Sequence, residues 1–364
     1  MNLLVASLLL VLVARAAYAT PAVGASCTVS SYNDVAGAVS SCTSITLKGF
    51  TVPAGKALIM KLKSGTTVKV AGTIKFAVSE WKGPLVEISG SKITFSGAGG
   101  YFDGQGASYW DGQGDKGKTK PKFFRIKTTG GSHFNNIKLL NCPHQCVSIN
   151  PASDTTLTDW TVDVSAGDSK GGKNTDGFDL SNSSGITIKH AVVKNQDDCV
   201  AVNQGSHYVF QNLTCSGGHG LSLSVGQSSQ NGNPNTVKNV TFSDCTVTNS
   251  RNGIHVKTHN DAGTGAISDV TYKNIKLSGI TNYGINIQED YENGGSSGNP
   301  KANIPISKLN LQSVTGSMSG GSSSMPVYIL CGSNGCNNWN WSGVSIGNGK
   351  KKNSCNYKPS GFSC

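Results

Sequence analysis

The chain has 364 residues and a formal net charge of +11, from 31 Lys and Arg against 20 Asp and Glu. Gly is abundant at 46 residues and Pro scarce at 11, which suits many short strands joined by turns better than a helical fold. Eleven cysteines argue for an oxidising compartment, and no apolar stretch reaches the ~18 residues needed to span a bilayer.

Leu3 to Ala14 is apolar and Ala17-Tyr18-Ala19 offers a small-residue cleavage site. Residues 1–19 are therefore expected to be a secretory signal peptide, and 20–364 a single mature domain. Asn33 to Ser41 is expected to form a short helix held by a Cys27–Cys42 disulfide. The other local pairs are Cys199–Cys215, Cys331–Cys336 and Cys355–Cys364. Cys142, Cys146 and Cys245 are left over, and Cys245, on an alternating strand, is the candidate buried free thiol. The His and Cys spacings do not match a zinc site, so no metal is expected. Sequons at Asn182, Asn212, Asn239 and Asn340 allow glycosylation in a eukaryotic host.

Lys116, Lys118, Lys120, Lys122, Arg125 and Lys127 form a basic run beside Phe123 and Phe124. It reads equally well as a solvated face or as a contact for an anionic polymer. Nucleic acid is a poor candidate for an exported chain with no recognisable binding motif.

The middle of the chain repeats. Asp176-Gly177-Phe178-Asp179-Leu180 aligns with Asp198-Cys199-Val200-Ala201-Val202, His219-Gly220-Leu221-Ser222-Leu223, Asn252-Gly253-Ile254-His255-Val256 and Tyr283-Gly284-Ile285-Asn286-Ile287. Each unit carries a second alternating strand, such as Ile186 to Val192 or Tyr208 to Leu213. Alternation puts Phe178, Val200, Leu221, Ile254 and Ile285 in one inward column, and Leu180, Val202, Leu223, Val256 and Ile287 in another. Asp179, Ala201, Ser222, His255 and Asn286 share an outward column. Units of 21–33 residues, with no helical period, predict an all-β solenoid: a parallel β-helix whose thin coils bury themselves only by stacking. A β-sandwich would leave the matched register unexplained.

The same register gathers Asp176, Asp198 and His219 at equivalent strand starts on three consecutive coils, with Asp197 beside Asp198. Each motif alone would be a turn or a solvated loop; their joint register marks a site. Crowded like charges raise one carboxyl pKa, so that it can serve as an acid. Carboxylates about 6.5–9.5 Å apart leave room for a water and give inversion at a glycosidic carbon, a gap that side chains one or two coils apart can span.

Asn174-Thr175-Asp176, Gln196-Asp197-Asp198, Gly218-His219-Gly220 and the strand ending in Lys257 together resemble the signature of glycoside hydrolase family 28, and within it the fungal-type endopolygalacturonases. The likeness extends from Phe102-Asp103-Gly104-Gln105-Gly106 to Gln288-Glu289-Asp290-Tyr291 and the C-terminal cysteines. It implies a right-handed parallel β-helix and inverting hydrolysis of α-1,4 galacturonan. By resemblance Asp197 is the general acid, Asp176 and Asp198 hold and activate the water, and His219 supports the acid. Asn174, His255, Lys257 and Tyr291 would bind substrate. The implied partner is polygalacturonate or pectin, with host inhibitor proteins as a second class. No cofactor, nucleic acid or membrane is implied, and a monomer is expected. Rival readings are a non-catalytic galacturonan-binding homologue, a calcium-dependent pectate lyase, and a hydrolase of a related pectin backbone. One departure stands out: the family usually has Arg-Ile-Lys where this chain has His255-Val256-Lys257. Imidazole cannot copy a planar guanidinium fork, although a protonated ring would restore part of the grip. Substrate affinity is then expected to fall as pH rises through the histidine range.

Overall fold

In-and-out alternation repeated in matched register leaves each coil one way to bury its apolar side, against the coils above and below. The computed structural model describes residues 25–227, 235–292 and 295–364. The expected signal peptide, and all of the polar insertion between Gln227 and Asn235, lie outside them. Helix α1, Asp34–Ser41, covers the front end, and Cys27–Cys42 ties it to the first strand. Behind it the chain winds as a right-handed parallel β-helix.

Six strands at the centre of one face matter most. They are β1 (Val147–Ile149), β2 (Phe178–Leu180), β3 (Val200–Val202), β4 (Leu221–Val225), β5 (Asn252–His259) and β6 (Tyr283–Glu292). Each pairs in parallel with the next, and Phe178, Val200, Leu221, Ile254 and Ile285 stand directly over one another. All five are fully buried, as are the five residues of the second inward column. The other faces repeat the pattern. Phe210, Phe242 and Tyr272 stack at 4.5 and 4.6 Å between ring centroids, so one ring type repeats where one register position repeats.

The four expected disulfides are present, and Cys142 pairs with Cys146 as a fifth. Cys245 is the free cysteine among the described residues. Burial pushes its thiol up to about 12, which makes it a core residue rather than a nucleophile. The basic run does not act as one surface. Lys120 is buried on Asp111 at 3.0 Å, Arg125 and Lys127 reach Glu87, and Phe123 and Phe124 are core. Asn182, Asn212 and Asn340 are exposed and Asn239 is half-buried.

At the back end the fully buried Glu289 accepts one hydrogen bond, from the Gly332 N–H at 2.7 Å beside Cys331–Cys336. Its Oε1 has no partner, and burial pushes the carboxyl up to about 7. An acid with a raised folded pKa contributes its stability below the unfolded value of 4.5 and loses it as pH rises through 7. Glu289→Gln keeps the acceptor without the charge. Thermal melts should show wild type losing on the order of 2–3 kcal/mol between about pH 5 and about pH 8, and the variant losing much less. Parallel pH profiles would rule Glu289 out as the cause.

Candidate functional site

Two residues before the inward column, the ladder reads Asp176, Asp198, His219, Asn252, Tyr283. Three residues before it, the turns carry Asp197, Gly218, Arg251 and Asn282. The column is held by backbone bonds: His219 N–H to Asp197 O at 2.7 Å, Arg251 N–H to Gly218 O at 2.7 Å, and Asn282 N–H to Arg251 O at 2.9 Å. Inside the turn the buried Asn195 amide lies within 3.0 Å of the carbonyl oxygens of Thr175, Asp197 and Asp198. Thr175 bonds Gln196 on the next coil at 2.9 Å. The two acidic motifs are therefore tied together through the buried Asn195 amide and the Thr175–Gln196 bond.

Asp197 carries three contacts. Oδ1 meets His219 Nδ1 at 3.0 Å and accepts from the Asp198 N–H at 2.8 Å, while Oδ2 accepts from Asn174 Nδ2 at 3.2 Å. Asn174 also accepts from the Asp115 N–H at 3.1 Å, so its side chain aims Asp197 instead of standing free. Asp198 is buried. One oxygen accepts from Ser222 Oγ at 2.6 Å and the other from Lys257 Nζ at 3.0 Å. The Lys257 ammonium lies 5.0 Å over the Tyr291 ring, a cation–π contact that fixes both.

Electrostatics separate the three aspartates. Burial raises Asp176 well above the carboxylate range, reinforced by the charges of Asp197, Asp179 and Asp198. Burial opposes charge on Asp197 too, but its hydrogen bond from His219 and the charges of His219 and Lys257 hold it below its ordinary value. Burial likewise opposes charge on His219, and the Asp197 bond and charge outweigh it, so His219 is raised. Lys257 is raised although burial opposes it, because Asp198, Tyr291 and Asp197 outweigh desolvation.

The ligand atoms of Asp197, Asp198 and His219 all lie within 4.8 Å of one another. Asp197 and Asp198 are neighbours on one turn, and Asp176 is the carboxylate one coil from Asp198. One expectation needs correction. His255 is not a cation through the histidine range. Burial and the neighbouring Lys257 hold it well below its ordinary value, and it is 7% exposed. Its Nδ1 meets Asn252 at 3.4 Å and its Nε2 has no partner. The expected fall of affinity with its deprotonation has no basis in this environment.

The Asp197–Asp198–His219 cluster has metal-type donors, but the Lys257 ammonium already supplies a cation at Asp198. Glu289, Cys331 and Cys336 also cluster, yet both sulfurs are in a disulfide.

The cleft has two lobes meeting at Asp197, Asn174, Lys257 and Tyr291. One, about 430 Å³, is lined by Asp176, Asp179, Asp198 and Lys122. The other, about 580 Å³, is lined by His219, His255 and Arg251. Asp179, pushed up to about 7 by burial against the pull of Lys122, and Ser222 escaped the sequence reading of the site. Their signal was present, since both share the outward column of His255.

A parallel β-helix with clustered carboxylates, an imidazole and a buried lysine on one flank has the parts of a polysaccharide-hydrolysing enzyme. The chain belongs to glycosyl hydrolases family 28, whose sequence model matches residues 42–364. It is 50% identical over 351 residues to a polygalacturonase of Phaedon cochleariae, covering 95% of each chain. It is 49% identical to a probable endopolygalacturonase I of Aspergillus terreus, covering 93% of this chain and 91% of that one. Among solved structures, endopolygalacturonase I from Stereum purpureum complexed with two galacturonate superposes with a TM-score of 0.82. The identity is 38%, over 92% of this chain and 98% of that one.

Breaking the buried ion pair from one side strands a charge. Lys257→Met should cost about 3–5 kcal/mol in denaturant unfolding, and adding Asp198→Asn should recover most of it. If the double variant is no more stable than the single one, Lys257 contributes packing and not charge.

Proposed function

We propose that the chain is a secreted, endo-acting polygalacturonase that hydrolyses α-1,4 bonds of polygalacturonate, the pectin backbone, with inversion. The observation that carries this reading is the pairing of Asp197 with His219 and of Asp198 with Lys257 on stacked coils, at the junction of two cleft lobes. The names of the relatives support substrate and mode of attack. Five disulfides, four sequons and the apolar leader support export. The mechanism calls on no cofactor.

Asp197 is the acid, because it alone of the three aspartates borders both lobes, where a scissile bond would cross. The His219–Asp197 contact holds one proton between Nδ1 and Oδ1. A bound polymer excludes water, disfavours the charged pair and moves that proton to Asp197, which delivers it to the leaving oxygen. The water sits between Asp176 and Asp198; as its oxygen bonds the anomeric carbon and the bond to the leaving oxygen breaks, it gives its proton to the Asp198 carboxylate, while Asp176 holds it in place. Both Asp198 oxygens already accept hydrogen bonds, from Ser222 and Lys257, which makes this carboxylate a poor nucleophile and favours a water-borne attack. Lys257 and Tyr291 meet the sugar and its carboxylate, and neutral His255 offers a hydrogen bond.

The test is product analysis on polygalacturonate. New reducing ends without unsaturated sugars are expected, with the opposite anomeric configuration in the first product by proton NMR. Unsaturated ends would indicate a lyase, retention would remove the water mechanism, and binding without cleavage would make the chain a non-catalytic homologue.

One observation favours a second assignment of the acid: Asp176 holds its proton more tightly than Asp197 in the free cleft. Asp197→Asn should lose ~10²-fold or more on polymer and much less on an aryl galacturonide whose leaving group needs no proton. If Asp176→Asn shows that pattern instead, the roles exchange. The pH profile gives a further check. The shared proton leaves wild type at the raised pKa of His219, so the alkaline limb of kcat/KM should lie above 6.5. In His219→Gln the proton rests on Asp197 alone, and the limb should move to lower pH. An unmoved limb would detach His219 from the acid.

A further inference from the structure

The lobe beyond Asp197 on the His219 side differs in charge from its neighbour. Its lining carries the cations Lys173, Arg251 and Lys257 and one carboxylate, Asp197. Lys257 is buried on Asp198, and His255 is held neutral. Arg251 is exposed, and no ion pair among the described residues engages it. Its backbone is fixed, donating to Gly218 and accepting from Asn282 and Tyr283. Arg251 shares the turn column of Asp197 two coils further on, about 10 Å along the axis. Beside it, Tyr283 and Tyr328 present half-buried rings with centroids 5.2 Å apart, tilted by 33°, in the same lobe.

We infer that Arg251, with the Tyr283–Tyr328 platform, forms a distal subsite that holds the carboxylate and ring of a galacturonate residue beyond the one at the scissile bond. The inference rests on the polygalacturonase reading and adds a specificity-determining residue to it. An arginine fork binds a carboxylate through two parallel N–H bonds, and a pyranose ring offers C–H faces to an aromatic pair. Both parts are needed for a uronic acid; a neutral sugar would use the platform alone. The place of Arg251 also answers the departure at His255. The charge missing from the cleft floor stands four residues earlier, at the exposed edge of the same lobe.

The experiment compares Arg251 with Arg251→Gln, each in an inactive Asp197→Asn background, by titration calorimetry with hexagalacturonate. Active enzymes with each residue are also compared on end-labelled hexamer for the position of the cut. Arg251→Gln should bind about tenfold more weakly, with the gap closing as salt rises. Its cuts should shift away from bonds that place a sugar over Arg251, and Arg251→Lys should restore part of both. A purely structural role would lower activity without moving the cut. Equal affinity and an unchanged cut distribution would overturn the subsite. A wild type that leaves polygalacturonate intact would overturn the hydrolase reading instead, and the calorimetry would still decide the case of Arg251.

Discussion

Everything in this protein depends on the parallel register between coils. Neighbouring strands stand about 4.8 Å apart, so any side chain has an equivalent directly above and below it. Inside, that constraint is favourable, because apolar residues stack on apolar residues and the Phe210–Phe242–Tyr272 column follows. Outside, the same constraint forces Asp176, Asp198 and His219 into one line, whatever their charges. The site is thus a consequence of the ladder that makes the core, and its geometry is as rigid as the core beneath it.

Rigidity of that kind has an electrostatic cost. Three carboxylates gathered on one flank repel one another, and burial penalises each further. The structure offsets this with Lys257 under Asp198, His219 against Asp197, and an Asp176 carboxyl that burial and the neighbouring charges push toward its protonated form. These are also the parts the proposed reaction calls on. A carboxylate trio that shares protons with an imidazole titrates as a unit, so the protonation states of the empty cleft need not be those of the loaded one. Polymer binding brings in more negative charge and removes water. Both changes favour protonated carboxyls, which is the direction an acid catalyst needs.

Much of this was legible in the sequence, for a specific reason. A solenoid converts spacing into proximity, so intervals of 22 and 21 residues translate directly into Asp176, Asp198 and His219 on neighbouring coils. The inward columns and four of the five disulfides followed from alternation and nearness in the chain. What escaped was of another kind. Spacing does not fix Cys142–Cys146, because three leftover cysteines allow more than one pairing. Alternation puts Asp179 and Ser222 on the right face, but their roles depend on what Lys122 and Asp198 do around them. The neutrality of His255 is set by burial and the sum of nearby charges, and neither can be read from a motif.

The exchange of a floor cation for a rim cation is physically coherent. His255 is 7% exposed beside the buried Lys257, whose ammonium already uses the Asp198 carboxylate, and a second desolvated cation there would carry a desolvation cost of its own. A neutral imidazole adds no second charge beside Lys257, which pairs with Asp198 in the empty cleft. At position 251 the guanidinium keeps its hydration until a carboxylate arrives, so the desolvation is met when the ligand can repay it. The charge then acts in the bound state, on a residue further along the polymer. Grip on the substrate is thereby spread along the ladder, from Lys257 on the floor to Arg251 at the rim.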